Sequence, residues 1–410
     1  MARREVDYLL IGGGLASANC ARWLREEGAD GSVLLVGREY DPPYNRPPLS
    51  KGYLQGGESR EDALFRPDDW WEEQDIELLT RTSVMKLDTG ERVATLSTKD
   101  EVRFDKALLA TGANVRRLPA EGNDLDGIDY LRTLPNSDAI RADGERAERV
   151  VLIGGSYIGT EVAASLTAAH GVQCAIVMQE DIVLERFYGP ELGRFWQSVL
   201  EEHGVAVHGG EELERFEGAD GRVRSVVTKS GLELECDAAV IGAGVTPDVS
   251  LAKRAGLEIG DAGGVRTSAG LETSVPGVFA AGDICEYDSP LHGSAPMRIE
   301  HWDVAFNQGK TAALNMLGRN VEYDTVPYFF SDLADWASLE YVGPGSGDVV
   351  VRGSFDEGDF TAFYLDDGRV AAALTVGRSD DLEHARRFLT ARAEPDPGAL
   401  ADESTDLSEL

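Results

Sequence analysis

Apolar and polar positions along this chain fall into blocks whose period changes at glycines. Residues 8–11 (Tyr8, Leu9, Leu10, Ile11) form an apolar run suited to a buried strand, which breaks at Gly12, Gly13 and Gly14 and resumes with helical spacing through Ala18, Cys20, Ala21 and Leu24. The spacing predicts a strand, a tight turn and a helix N-terminus, where backbone N–H groups and the helix dipole favour an anion such as a pyrophosphate. Close packing alone also selects glycine turns of this kind, so the first stretch leaves both readings open. Residues 32–37 read as a second strand that completes a β-α-β unit. It ends in Gly37, Arg38 and Glu39, which makes Glu39 the nearby acid for a ribose and leaves Arg38 for a phosphate or an adenine.

The block pattern then repeats. Residues 150–153 form another apolar run, broken by Gly154, Gly155 and Ser156 and followed by Tyr157, Ile158 and Gly159, a helical pattern (Val162, Ala163, Leu166) and a strand over 173–177. Two such units in one chain argue against packing turns that arose by accident. Ser156 stands where a glycine is expected, which predicts a looser backbone approach to phosphate, and Glu180 follows the strand one or two residues late for a ribose hydroxyl.

Between the two units, prolines 42, 43, 47 and 48 predict a stiff loop without regular structure that ends at Lys51, a lysine that reads either as held against a cofactor or as solvated. Residues 77–84 and 92–97 read as short strands, and 105–112 as a buried strand ending in the small turn Ala110, Thr111, Gly112. Residues 236–244 form a further strand-to-glycine turn with Gly242 and Gly244. Residues 275–283 end at Gly282 and Asp283, an acid able to accept hydrogen bonds from a hydroxyl chain or simply to cap a turn. From Tyr323 the texture becomes alternating, over 348–354, 359–365 and 369–374, which predicts an antiparallel sheet. The tail from Ala393 carries acids and no base and is expected to be loose, or packed only at its end.

Composition bounds the partners. With 73 acids against 39 bases, the net charge of -34 repels nucleic acid and anionic membrane alike. Lysines are few among the bases, which suits a high-salt setting or a GC-rich genome equally; a solvated acidic surface is the plain reading. No apolar run approaches the roughly 18 residues of a membrane span, and Glu5 and Asp7 interrupt the basic opening, so a soluble cytoplasmic protein is expected. Cys20, Cys174, Cys236 and Cys285 lie far apart without a C-x-x-C pair and read as core thiols, with neither a dithiol centre nor a metal site.

In order, these motifs resemble the FAD-dependent pyridine nucleotide-disulfide oxidoreductase superfamily. Residues 46–51 (Arg46, Pro47, Pro48, Leu49, Ser50, Lys51) look like the signature of its oxygenase-coupled ferredoxin reductases, such as putidaredoxin and rhodocoxin reductases, and are similar to apoptosis-inducing factor. The resemblance implies an α/β fold with two Rossmann-like dinucleotide-binding domains of the glutathione-reductase kind and a C-terminal α+β domain with an antiparallel sheet. It implies an FAD domain over 1–117 and 247–322, an NAD(P)H domain over 118–246 and a C-terminal domain over 323–410.

By the same resemblance, Gly12, Gly14, Ala16 and Ser17 face the FAD pyrophosphate. Leu15, Arg38, Glu39, Arg46, Val84, Ala110, Thr111, Gly112, Arg132 and Gly282 contact FAD, Asp283 holds its ribitol, and Trp302 lies near the isoalloxazine. Gly154, Gly155, Ser156, Tyr157, Ile158, Gly159, Glu161, Glu180, Gly242 and Gly244 serve NAD. Lys51 takes the place of a redox cysteine found in peroxidase and oxidase relatives, and pairs with Glu161 as the catalytic couple beside the flavin.

With no thiol there, electrons must leave to an external acceptor, implied to be a [2Fe–2S] ferredoxin or a rubredoxin, with NADH as donor ahead of NADPH. Phe330 stands where several relatives carry tryptophan, and Arg298, Arg378, Arg386 and Arg387 are either a local basic patch for an acidic partner or ordinary surface charge. The alternatives are a slow NADH flavoprotein acting as a redox-controlled binding protein, or an NADH oxidase or quinone reductase, as a monomer or homodimer.

Overall fold

The computed structural model describes residues 3–293 and 295–410, and divides the chain into two compact units. The first runs through Asn45 and includes Ala63–Asn114 and Thr246–Tyr328; the second contains Arg46–Asp62, Val115–Val245 and Phe329–Leu410. Arg46–Asp62, inside the stretch assigned above to the first domain, therefore packs with the second unit.

The first unit is built on a parallel sheet. Apolar strand Arg3–Ile11 lies between Val33–Val36 and Glu101–Leu109, with Leu9 level with Leu34 on one side and with Ala107 on the other. Ile76–Leu79 adds outside Val33–Val36. Strand Glu101–Leu109 is shared: its first half pairs antiparallel with Val93–Leu96, and its last residues pair parallel with Val278–Ala280. Residues 80–83 form the turn between Ile76–Leu79 and Val84–Asp88, so the single strand expected over 77–84 is two. Helix Leu15–Glu26 is buried through Ala18, Cys20, Ala21 and Leu24, the positions its periodicity marked. Helix Trp302–Met316 crosses it closely: a Cβ on Gly309 would run into the Ala16 carbonyl, and Asn19 Nδ2 donates to the Phe306 carbonyl at 2.6 Å.

The second unit repeats the plan. A parallel sheet runs Ala206–His208, Gln173–Val177, Arg149–Ile153, Ala238–Ile241, Ile128–Tyr130 in spatial order, with helix Tyr157–His170 following its central strand. A three-stranded antiparallel sheet of Leu213–Ala219, Arg222–Thr228 and Glu233–Glu235 accompanies it. The alternating segments form the expected antiparallel sheet, with Asp348–Ser354, Asp359–Asp366, Arg369–Val376 and Ala337–Val342 as successive neighbours. Helix Ser379–Ala391 buries Leu382, Ala385, Phe388 and Leu389.

Two local expectations are corrected. The proline loop does contain regular structure: Pro47–Ser50 is a 3-10 turn, because proline at a helix start lacks only an N–H that would have no helical partner there. The acidic tail is not simply loose but is anchored at two points, with helix Pro397–Ala401 burying Leu400 and a last turn Leu407–Glu409 burying Leu407. Arg352, itself buried, explains this by donating to the carbonyls of Asp402 (2.6 Å), Glu403 (3.2 Å) and Thr405 (3.0 Å). Among the described residues no helix is long and apolar enough to cross a membrane.

Candidate functional site

Each unit presents a strand, a glycine turn and a helix whose first amides are uncapped. In the first, Gly12 has φ +123°, and a Cβ there would collide with the Ala110 carbonyl, so glycine is required where the 110–112 turn crosses. At Gly14, the N-cap of helix Leu15–Glu26, no atom of the described residues lies within 4 Å of a Cβ position and none of their side chains caps the helix. Beside it, the Ser17 hydroxyl is buried without a protein partner among the described residues. An open cradle, free amides and an unsatisfied hydroxyl are what the pyrophosphate of a dinucleotide would satisfy. The residues present fit FAD.

Around this turn, Thr111 Oγ1 donates to the Asp248 carbonyl at 2.7 Å, and Gly282 N donates to Gln308 Oε1 at 2.8 Å. Gln308 is fully buried and its Nε2 has no partner among the described residues; nothing in its helical context marked it beforehand. Arg38, expected against phosphate or adenine, reaches Asp248 (3.0 Å) and Asn114 (2.5 Å), and Glu39 accepts the Tyr44 hydroxyl. Val84 opens its strand half-buried against the core. Trp302 stacks on Phe306 and donates from Nε1 to Asn45 Oδ1 at 3.0 Å. Arg298 Nη1 holds the Asp283 carbonyl at 3.0 Å, and burial holds the neighbouring His301 imidazole down to about 4 against the pull of the Asp283 charge.

In the second unit Gly154 repeats the device, with φ +110° and the Gly242 carbonyl in the path of a Cβ. Ser156, the N-cap of Tyr157–His170, turns its hydroxyl to the Gly242 carbonyl at 3.4 Å, which leaves the first helical amides uncapped. One turn along the helix, Glu161 is buried and accepts three hydrogen bonds. Lys51 Nζ lies 2.6 Å from Oε1, Ser331 Oγ donates to the same oxygen at 2.6 Å, and Ser50 Oγ donates to Oε2 at 2.5 Å. The side chains of Lys51 and Glu161 are 15% and 4% exposed, so this is a buried ion pair and the solvated reading of Lys51 is set aside.

The segment that carries Lys51 is anchored at several points. Ser137 Oγ donates to the Leu49 carbonyl (2.8 Å), Ser165 Oγ to the Ser50 carbonyl (2.7 Å) and Tyr53 to Asp138 (2.5 Å), while Arg46 donates to the Arg132 carbonyl. Lys51 also sits over the Phe330 ring, 5.4 Å from its centroid. Ser50 and Ser331 were not singled out from sequence. The available signal was a hydroxyl next to the lysine and another next to an aromatic run.

Arg186 pairs with Glu180 at 2.6 Å. Three of the four arginines named for a docking patch are engaged within the chain: Arg298 with Glu300, Arg378 with Asp359, Asp381 and Glu403, and Arg387 with the carbonyls of Leu407 and Leu410. All four cysteines are free and buried, and burial pushes the Cys174, Cys236 and Cys285 thiols up to about 12, with Cys20 higher still.

Known proteins match along nearly the whole chain. The anthranilate 1,2-dioxygenase system ferredoxin–NAD(+) reductase component of Burkholderia cepacia is 35% identical over 408 residues, covering 98% of both chains. Putidaredoxin reductase of Pseudomonas putida is 32% identical, covering 98% of this chain and 96% of the relative. Among solved structures, the ferredoxin reductase for the CYP199A2 system from Rhodopseudomonas palustris superposes with a TM-score of 0.93 at 32% identity, covering 98% of this chain and 99% of the other. The reductase C-terminal family matches residues 328–410. Residues 6–309 match the pyridine nucleotide-disulphide oxidoreductase family, and with its two glycine turns and the acid of its second helix in place the chain belongs to that family.

Proposed function

We propose that this chain is an NAD(P)H-dependent flavoprotein reductase that passes electrons from FAD to the ferredoxin of an oxygenase system. The observation that carries the reading is the buried Lys51–Glu161 pair at the second fingerprint helix, in a chain whose four thiols are buried and unpaired. A disulfide-reducing member of the family needs an accessible thiol pair; here no protein group can take electrons onward, so they leave to another molecule. The relatives named as ferredoxin reductases support ferredoxin as that molecule.

When bound, FAD supplies the ability to take two electrons with a hydride and release them singly. The chain's own residues do the rest. The first fingerprint, the 110–112 turn and Asp283 would hold FAD, and the second fingerprint would hold the nicotinamide coenzyme by its pyrophosphate. Glu180 at the adenosine end favours NADH. Lys51 would serve as a fixed cation for negative charge that develops in the reaction, and Glu161, held by two hydroxyls, orients Lys51. We assign the FAD domain to 1–117 and 247–322 apart from Arg46–Asp62, which belongs to the second compact unit, the coenzyme domain to 118–246 and the C-terminal domain to 323–410, and we take the acceptor to be of the [2Fe–2S] type.

The test is cytochrome c reduction with NADH and a panel of purified ferredoxins and rubredoxins. Rapid turnover only when a [2Fe–2S] ferredoxin is present is expected. A long-lived reduced complex with NAD and little turnover would favour a redox-controlled binding protein, and ferredoxin-independent turnover an oxidase or quinone reductase.

A further inference from the structure

Residues 178–188 follow strand Gln173–Val177 and bring two opposite charges together, Glu180 and Arg186, with Nε and Oε1 2.6 Å apart. Arg186 is 71% exposed and is placed there by its neighbours on both sides, which are tied to the second fingerprint. Leu184, buried and in a left-handed conformation (φ +56°), donates from its N–H to the Gly155 carbonyl at 3.0 Å. On the other side the Tyr157 hydroxyl donates to the Tyr188 hydroxyl at 2.8 Å, and the Phe187 ring lies 4.9 Å from that of Tyr157. Gly210 N, donating to the Glu180 carbonyl at 2.9 Å, ties down the acid's backbone as well. Both charges are thus held in the segment that follows this strand, whose end meets the adenosine ribose in a dinucleotide fold.

A carboxylate at that point accepts a hydrogen bond from the 2′-hydroxyl of NADH and repels the 2′-phosphate of NADPH, whereas a guanidinium there binds the phosphate. This chain has both, already paired. We infer that Arg186 sets how strictly the coenzyme is chosen: it neutralises Glu180 and offers a cation to the 2′-phosphate, so NADPH is accepted alongside a modest preference for NADH. The inference rests on the coenzyme site proposed above.

The experiment is calorimetric titration of the FAD-loaded protein with 2′,5′-ADP and 5′-AMP, the adenosine halves of the two coenzymes, together with kcat/KM for NADPH and NADH. Arg186→Ala is expected to weaken 2′,5′-ADP relative to 5′-AMP by about tenfold, the order of one charge-assisted contact, with the kinetic change carried by KM for NADPH. Arg186→Lys recovers part of that loss, and Glu180→Gln shifts the ratio the opposite way. An equal effect of Arg186→Ala on both fragments overturns the inference while leaving the coenzyme site in place. If neither fragment binds the wild-type protein and neither coenzyme bleaches the flavin, the site itself is misassigned and the inference falls with it.

Discussion

Lys51 and Glu161 are charges that the surrounding protein has to hold out of water. Desolvation of two ions roughly cancels their attraction, so such a pair adds little net stability, but removing one partner strands the other and costs about 3–5 kcal/mol. Lys51→Met should therefore lower the urea midpoint and slow reduction by NADH in stopped-flow measurements. The double change Lys51→Met with Glu161→Gln should recover much of the stability without recovering the rate. Recovery of both would make the pair merely structural. At the same scale two groups give opposite pH slopes. The folded His301 binds its proton only near pH 4, whereas the unfolded imidazole does so near 6.5. Unfolding thus takes up a proton in that window, and wild-type stability should fall relative to His301→Asn as pH drops from 6.5 to 4. Asp129 is the reverse case, pushed up to about 6 by burial and then by Asp143, so its contribution is lost as pH rises from 4 to 6. Asp129→Asn should gain about 1–3 kcal/mol above pH 6, read from urea midpoints across pH.

At the scale of elements, closeness is decided by small residues and capped carbonyls. Gly309 lets helix Trp302–Met316 approach helix Leu15–Glu26 until only hydrogen fits against the Ala16 carbonyl. Gly309→Ala should lower stability by about 1–3 kcal/mol, since a backbone carbonyl cannot rotate aside. A thermal midpoint equal to wild type would mean the helices are free to part. The tail is held in the same way, by Arg352 on a row of carbonyls, with Leu400 and Leu407 in the core. A chain ending at Ala393 should lose about 3 kcal/mol or more in urea unfolding, because Leu400 and Leu407 are removed from the core while the Arg352 guanidinium exchanges those acceptors for water. The tail's acidic composition misled because the cation that binds it lies some fifty residues upstream, and it binds main-chain oxygens, to which composition is blind.

At the scale of the whole molecule, a net charge of -34 repels itself, and that repulsion is screened by salt. The thermal midpoint should rise between 0.05 and 0.5 M sodium chloride, concentrations that shorten the screening length from about 14 to about 4 Å. A fall would show that internal ion pairs such as those of Arg378 outweigh the net repulsion. Much of the architecture was legible beforehand. The strands over 8–11, 150–153 and 173–177, their glycine turns and the antiparallel character of the last sheet are set by neighbours in sequence, where hydrophobic period and glycine tolerance act directly. By itself the sequence determined that two phosphate-ready turns exist and that no thiol pair serves them. The resemblance had already paired Lys51 with Glu161; only the tertiary structure decided which groups complete such contacts, the Ser50 and Ser331 hydroxyls on Glu161 and Arg186 on Glu180. Those partners share no period with one another, and a buried or clamped charge takes its energy from whichever side chains the packing brings to it.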